Sequence, residues 1–244
     1  MSEIPDEITE LSLTELELAL VQGWTDTRRA LARWRREPAR VLVPWIFGSL
    51  AVAGALLLAV WVVASLTDPD PSGAYFPGVS YPATTGDFGF VLYRNGLVLA
   101  LHALACVAGF MAGSSLPQVA EGYHGIWRRI HELAGPLAIA FVAAATLFSL
   151  GTQAYALGGQ ASSLAKALGV SPLMLVLGLL PHALPELFAL FLPLAAWTLA
   201  SRAKRWQDLL AATFVTSAIA IPILLLAGAV EVWVTPHLLL ALAR

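Results

Sequence analysis

Five stretches of almost unbroken apolar sequence divide the chain: Val43–Leu66, Val91–Gly113, Leu133–Tyr155, Pro172–Ala200 and Leu209–Val230. Each supplies the ~20 residues that a helix needs to cross ~30 Å of hydrocarbon. The pattern predicts an all-α, polytopic transmembrane helical bundle of about five spans. The fourth stretch is too long for one straight crossing, since its residues at ~1.5 Å each make roughly 43 Å. Pro181 and Pro185 lie inside it. A kinked or broken span is therefore expected there, with a short half-helix followed by a full one. Ser171-Pro172 supplies its start, as N-cap and first helical residue.

The polar segments between these runs divide the chain into three parts: 1–40, a cytoplasmic, amphipathic and basic segment; 41–236, the transmembrane helical domain; and 237–244, a short tail. In the first, Ser12 and Glu15 form a capping-box pattern, followed by Leu13, Leu16, Leu20 and Trp24 at roughly helical spacing. Arg28, Arg29, Arg33, Arg35, Arg36 and Arg40 come next, interleaved with Trp24 and Trp34. Such a run can bind anionic lipid or nucleic acid. A basic flank beside a first span is routine, however, so it is read as fixing topology and no nucleic-acid partner is expected. The loop Thr67–Phe90 carries Asp68, Asp70, Asp87, four prolines and four glycines, but no Lys or Arg. It reads as irregular and extended.

Composition agrees with the pattern. The chain of 244 residues is 58% hydrophobic and 12% charged, against about 25% charged in soluble domains. A lone cysteine, Cys106, excludes an internal disulfide and a Cys-rich metal site. The opening MSEIPDEITE is acidic and lacks the basic region of a signal peptide, so the first apolar run is expected to stay as an anchor.

The chemistry worth weighing lies inside the spans. Ionisable groups there are costly and are usually shielded, paired or functional. Asn95 and His102 share one face of the second span, seven residues apart. His182 and Glu186 share one face of the fourth at i and i+4, among Pro181, Pro185 and Pro193. Glu231 ends the fifth span, followed by Thr235-Pro236-His237. Asn95, His102, His182, Glu186 and Glu231 form the candidate intramembrane polar site.

Three readings stand open. These groups satisfy one another and the carbonyls freed by proline; or they relay protons or ions in a transporter or permease subunit; or they serve an intramembrane hydrolase. The motifs do not support the last. His131-Glu132 opens a zinc-type HExxH, but position 135 is Gly. Gly113-Ser114-Ser115 lacks the Gly that a nucleophile elbow requires after the serine. No catalytic residue, metal or cofactor is assigned. The segment EGYHGIWRRIHE, with His124, Arg128, Arg129 and His131, reads as a solvated cytoplasmic loop. Gly109 and Gly113 form a GxxxG that favours close helix contact, within the chain or between copies.

LLPHALPELFALFLPLAAW, residues 179–197, resembles the Pro-His-Gly-x-x-Glu segment of the stage II sporulation protein M family of bacterial membrane proteins. RNGLVLALHALACVAGFMAG and LLLAGAVEVWVTP are similar to that family's earlier span and closing segment, in the same order. Arg94 stands where the family has the first of two Asn, and Ala183 where it has Gly. The resemblance implies a multi-pass protein of the bacterial inner membrane. It implies a non-enzymatic scaffold or subunit of a cell-envelope complex, partnered by the lipid bilayer and by membrane or cell-wall enzymes.

Eleven of the 14 Lys and Arg lie before the first span, after the second and after the fourth, which puts the N-terminus inside and the C-terminus outside. In a Cys106→Ala background, an impermeant thiol reagent added from outside should label Ser80→Cys and spare Ser201→Cys. The reverse pattern would invert the orientation.

Overall fold

The computed structural model describes residues 21–70, 75–115 and 126–244. The Ser12–Glu15 capping box and His124 lie outside the described residues. Residues 21–34 are helical (α1). There follow α2 (Pro38–Leu66), α3 (Thr85–Phe110), α4 (Ile126–Leu168), α5 (Pro172–Arg202), α6 (Leu209–Ala229) and α7 (Thr235–Leu242). A π-turn, Met111–Ser115, extends α3, and a second, Val230–Val234, joins α6 to α7. Among the described residues there is no strand, and the loop after α2 holds one isolated bridge, Pro77 with Tyr81. Five helical segments are long and apolar enough to cross a bilayer. The protein is an all-helical, multi-pass membrane protein.

Local signals set the ends. Ser171 accepts from the Met174 N–H at 3.2 Å with Pro172 behind it, so α5 starts where its cap and proline predict. The Thr84 hydroxyl and the Asp87 carboxylate cap α3 reciprocally, and the Tyr81 hydroxyl donates to Asp87 at 2.9 Å. α4 continues well beyond Tyr155, because nothing breaks it until Gly169, which takes φ +69° while the Val170 N–H bonds to the Ala165 carbonyl. α4 also begins at Ile126, so Arg128, Arg129 and His131 belong to a helix rather than to a loop.

The expectation of a separate half-helix in the fourth span is corrected. α5 runs unbroken through Pro181, Pro185 and Pro193 as one 31-residue helix. Proline costs a helix one hydrogen bond, and its neighbours hold it in place. Ser49 on α2 donates to the Phe188 carbonyl at 2.6 Å, and Cys106 on α3 donates to that of Pro193 at 3.4 Å. These donors bracket Ala189, whose carbonyl Pro193 deprives of its helical donor.

α5 is the centre of the bundle and packs against α2, α3, α4, α6 and α7. Of its apolar window 44% is buried, against 6% for α4. At the basic end, α1 folds back onto the bundle. Ala30 and Trp34 join Trp45, Leu192, Ala196, Ala211 and Ala212 in one cluster, and Trp34 meets Trp45 edge to face at 5.3 Å. Arg33 pairs with Asp208, a buried carboxylate in the short turn Trp206–Asp208. Gly109 and Gly113 admit close neighbours from the same chain, Trp197 and Leu209 at the first and Trp206 at the second. Ser201 is buried while Ala203 is exposed, so Ala203→Cys is the informative position at the basic end for thiol labelling.

Gly158 marks the contact of α4 with α2. A Cβ there would stand 2.5 Å from Val63 Cβ and 3.2 Å from the Ala64 nitrogen, whereas one at Gly159 meets nothing within 4 Å. Gly→Ala gains about 1 kcal/mol of helix propensity, while overpacking costs about 1–3 kcal/mol. Gly159→Ala should therefore raise the melting temperature of the detergent-solubilised protein, and Gly158→Ala should lower it. Equal shifts would show that α4 does not pack here.

Candidate functional site

α3 and α5 both start at the end of the bundle that carries the 67–84 loop. Asn95 and His182 each lie ten residues in from those starts, Thr85 and Pro172, or ~15 Å along the axis. α6 rises beside them to the π-turn that carries Glu231. Phe88 packs against Trp233 there, with ring centroids 5.1 Å apart and planes tilted by 39°.

In this frame Glu231 meets the His182–Glu186 pair. One donor atom from each of the three lies within 4.8 Å of the others. π-turns put one extra residue in a turn and recur at functional sites. Here the Thr235 N–H reaches back to the Val230 carbonyl, and both Glu231 and Thr235 face α5. Thr235 is fully buried, and its Oγ1 lies 2.8 Å from His182 Nδ1. Glu186 and Glu231 are each partly buried, whereas His182 is buried.

Asn95 is 9% exposed and adjoins Glu186. Its Nδ2 reaches no acceptor at hydrogen-bonding geometry among the described residues. Arg94 acts electrostatically on both carboxyls. Its side chain is exposed, with its guanidinium 5.8 Å from the Phe90 ring centroid.

His102 is placed elsewhere. Its Nδ1 lies 2.7 Å from the Leu190 carbonyl, and its ring is 5.8 Å from Phe191. A carbonyl can only accept, so Nδ1 carries the proton and the ring serves to pin α3 to α5. Of the five sequence candidates the structure thus gathers Asn95, His182, Glu186 and Glu231, and sets His102 about two turns beyond Asn95 along α3. His237 is exposed. Thr235 was not among the sequence candidates for the site, although its spacing of four from Glu231 was a usable signal.

The fold and the cluster define a multi-pass helical membrane protein with an intramembrane His–Glu–Glu centre. No family model, curated protein or solved structure matches the chain.

Thr235→Val keeps the shape of the side chain but removes the partner of His182. Stranding a buried polar group costs about 1–3 kcal/mol. Thr235→Val should lower thermal stability by that order and Thr235→Ser should restore it; equal melting of all three proteins would show that the contact contributes nothing.

Proposed function

We propose that this chain is a subunit of a membrane transporter or permease that takes up a proton or another cation at the His182–Glu186–Glu231 cluster. One observation carries the reading: a second carboxyl, Glu231, comes from a different span to lie with His182 and Glu186. A lone His–Glu pair satisfies itself as packing. Two carboxyls side by side in apolar surroundings call for a cation or a shared proton between them. Both are partly rather than fully buried within the bundle.

A second reading is the non-enzymatic scaffold of a cell-envelope complex that the resemblance to the stage II sporulation protein M family implies. α4 favours it. Phe141, Phe148 and Tyr155 are exposed along a helix that its own bundle hardly covers, which leaves room for a span of a partner protein. Both readings place the chain in the bacterial cytoplasmic membrane, N-terminus inside and C-terminus outside.

Glu186→Gln separates them, because Gln keeps the shape and the hydrogen bonding but cannot titrate. Liposomes holding the purified protein and an entrapped pH dye should show cation-coupled proton flux under an imposed potential. Glu186→Gln should reduce it to the level of empty liposomes at unchanged membrane abundance. Flux that survives the substitution, or a flux-free wild type that co-purifies with an envelope enzyme, would assign the chain to the scaffold class.

A further inference from the structure

We infer that the cluster is a binding site for a divalent transition-metal ion of the zinc class, held by His182, Glu186 and Glu231. This names the ligand of the centre proposed above and rests on the reading that the centre takes a cation.

The donor set is the first argument. One imidazole and two carboxylates suit zinc and its neighbours, and three protein ligands with a fourth position open is a recurrent arrangement for that ion. Donors ~2.1 Å from a tetrahedral ion stand about 3.4 Å apart. The three atoms, mutually within 4.8 Å, need close by little more than an ångström at their widest.

The surroundings supply the second argument. A ligating His characteristically engages a partner through its other ring nitrogen, which fixes tautomer and orientation. Thr235 occupies His182 Nδ1 at 2.8 Å. That leaves Nε2 to carry the lone pair.

Charge supplies the third. Two carboxylates and a neutral imidazole balance a dication, so the loaded centre is neutral, which apolar surroundings favour. Arg94, the cation beside the pair, is exposed at the outside of the bundle, with its guanidinium over the Phe90 ring.

Asn95 is an independent fourth observation. It is nine-tenths buried and adjoins Glu186, with its Nδ2 lacking an acceptor among the described residues. An oxygen ligand filling the open position of the ion is the acceptor it lacks.

The test uses the full chain, purified in detergent and stripped with a chelator. Dialysis against Zn²⁺ should leave one ion per chain, and Co²⁺ should give the visible absorption of a low-coordinate site. Glu231→Gln and His182→Gln should abolish both signals while eluting as folded, monodisperse protein. Thr235→Val should weaken binding by about 10–100-fold, as loss of an outer partner does. His237→Gln, which alters an exposed imidazole away from the cluster, should bind like the wild type.

Absence of stoichiometric zinc, or zinc retained equally by Glu231→Gln and Glu186→Gln, overturns the inference. If the wild type then still moves protons in liposomes, the cation-handling reading stands and the metal assignment alone falls. Stoichiometric zinc without flux does the opposite: the site stands and the transport reading falls.

Discussion

A polar group inside a bilayer must find its partner within the protein, because lipid offers none. That constraint bears hardest on α5, with three prolines, a histidine and a glutamate in one apolar helix. The position of α5 in the fold follows. It is the most enclosed of the spans, while α4, which presents Phe141, Leu147 and Phe148 outward, is the least. Neighbouring helices contribute hydrogen-bond partners where α5 needs them: Ser49 from α2, His102 and Cys106 from α3, Thr235 from α7. The bundle is organised less by apolar attraction, which lipid matches, than by the need to close these polar contacts.

The spans and the start of α5 were legible in the sequence, because they rest on local signals: length, hydropathy, and a serine before a proline. The i, i+4 pairing of His182 and Glu186 was legible for the same reason. What was not legible depends on neighbours. Pro181 and Pro185 argued for a broken helix, but whether a proline breaks a helix is decided by what packs around it. Asn95 and His102 share a face by spacing, yet one meets Glu186 and the other the Leu190 carbonyl, because α5 runs past α3 and offers a different surface at each level. Arg33 was read as one topogenic charge among six, and its pairing with Asp208, 175 residues away, has no local signature.

The two ends of the bundle are built differently, and this ties orientation to packing. At the basic end, side chains make the closure: the Arg33–Asp208 pair, Trp34 against Trp45, and Trp206 against Gly113. A buried carboxylate there needs its arginine, since removal of either partner strands a charge. At the other end short-range polar contacts dominate: the Thr84–Asp87 cap, Ser162 on the Thr67 carbonyl, and Gly78 at φ +78° where its turn meets Pro236. That contact anchors the turn of the 67–84 loop to the start of α7, directly beyond the π-turn that carries Glu231.

The polar cluster lies a third of the way in from this second end, and its construction is unequal. His182 is held firmly, with a buried hydroxyl on one ring nitrogen and α5 behind it. Glu186 and Glu231 adjoin each other, and Glu186 adjoins Asn95, whose Nδ2 reaches no acceptor at hydrogen-bonding geometry among the described residues. The two carboxyls are the costliest groups to hold in apolar surroundings, and here they lie side by side. An imidazole fixed by Thr235 opposite two adjacent carboxyls is an arrangement that a cation between them would stabilise. The position of Glu231 on a π-turn is consistent with that. π-turns recur at functional sites, and this one brings Glu231 from beyond α6 onto the pair carried by α5.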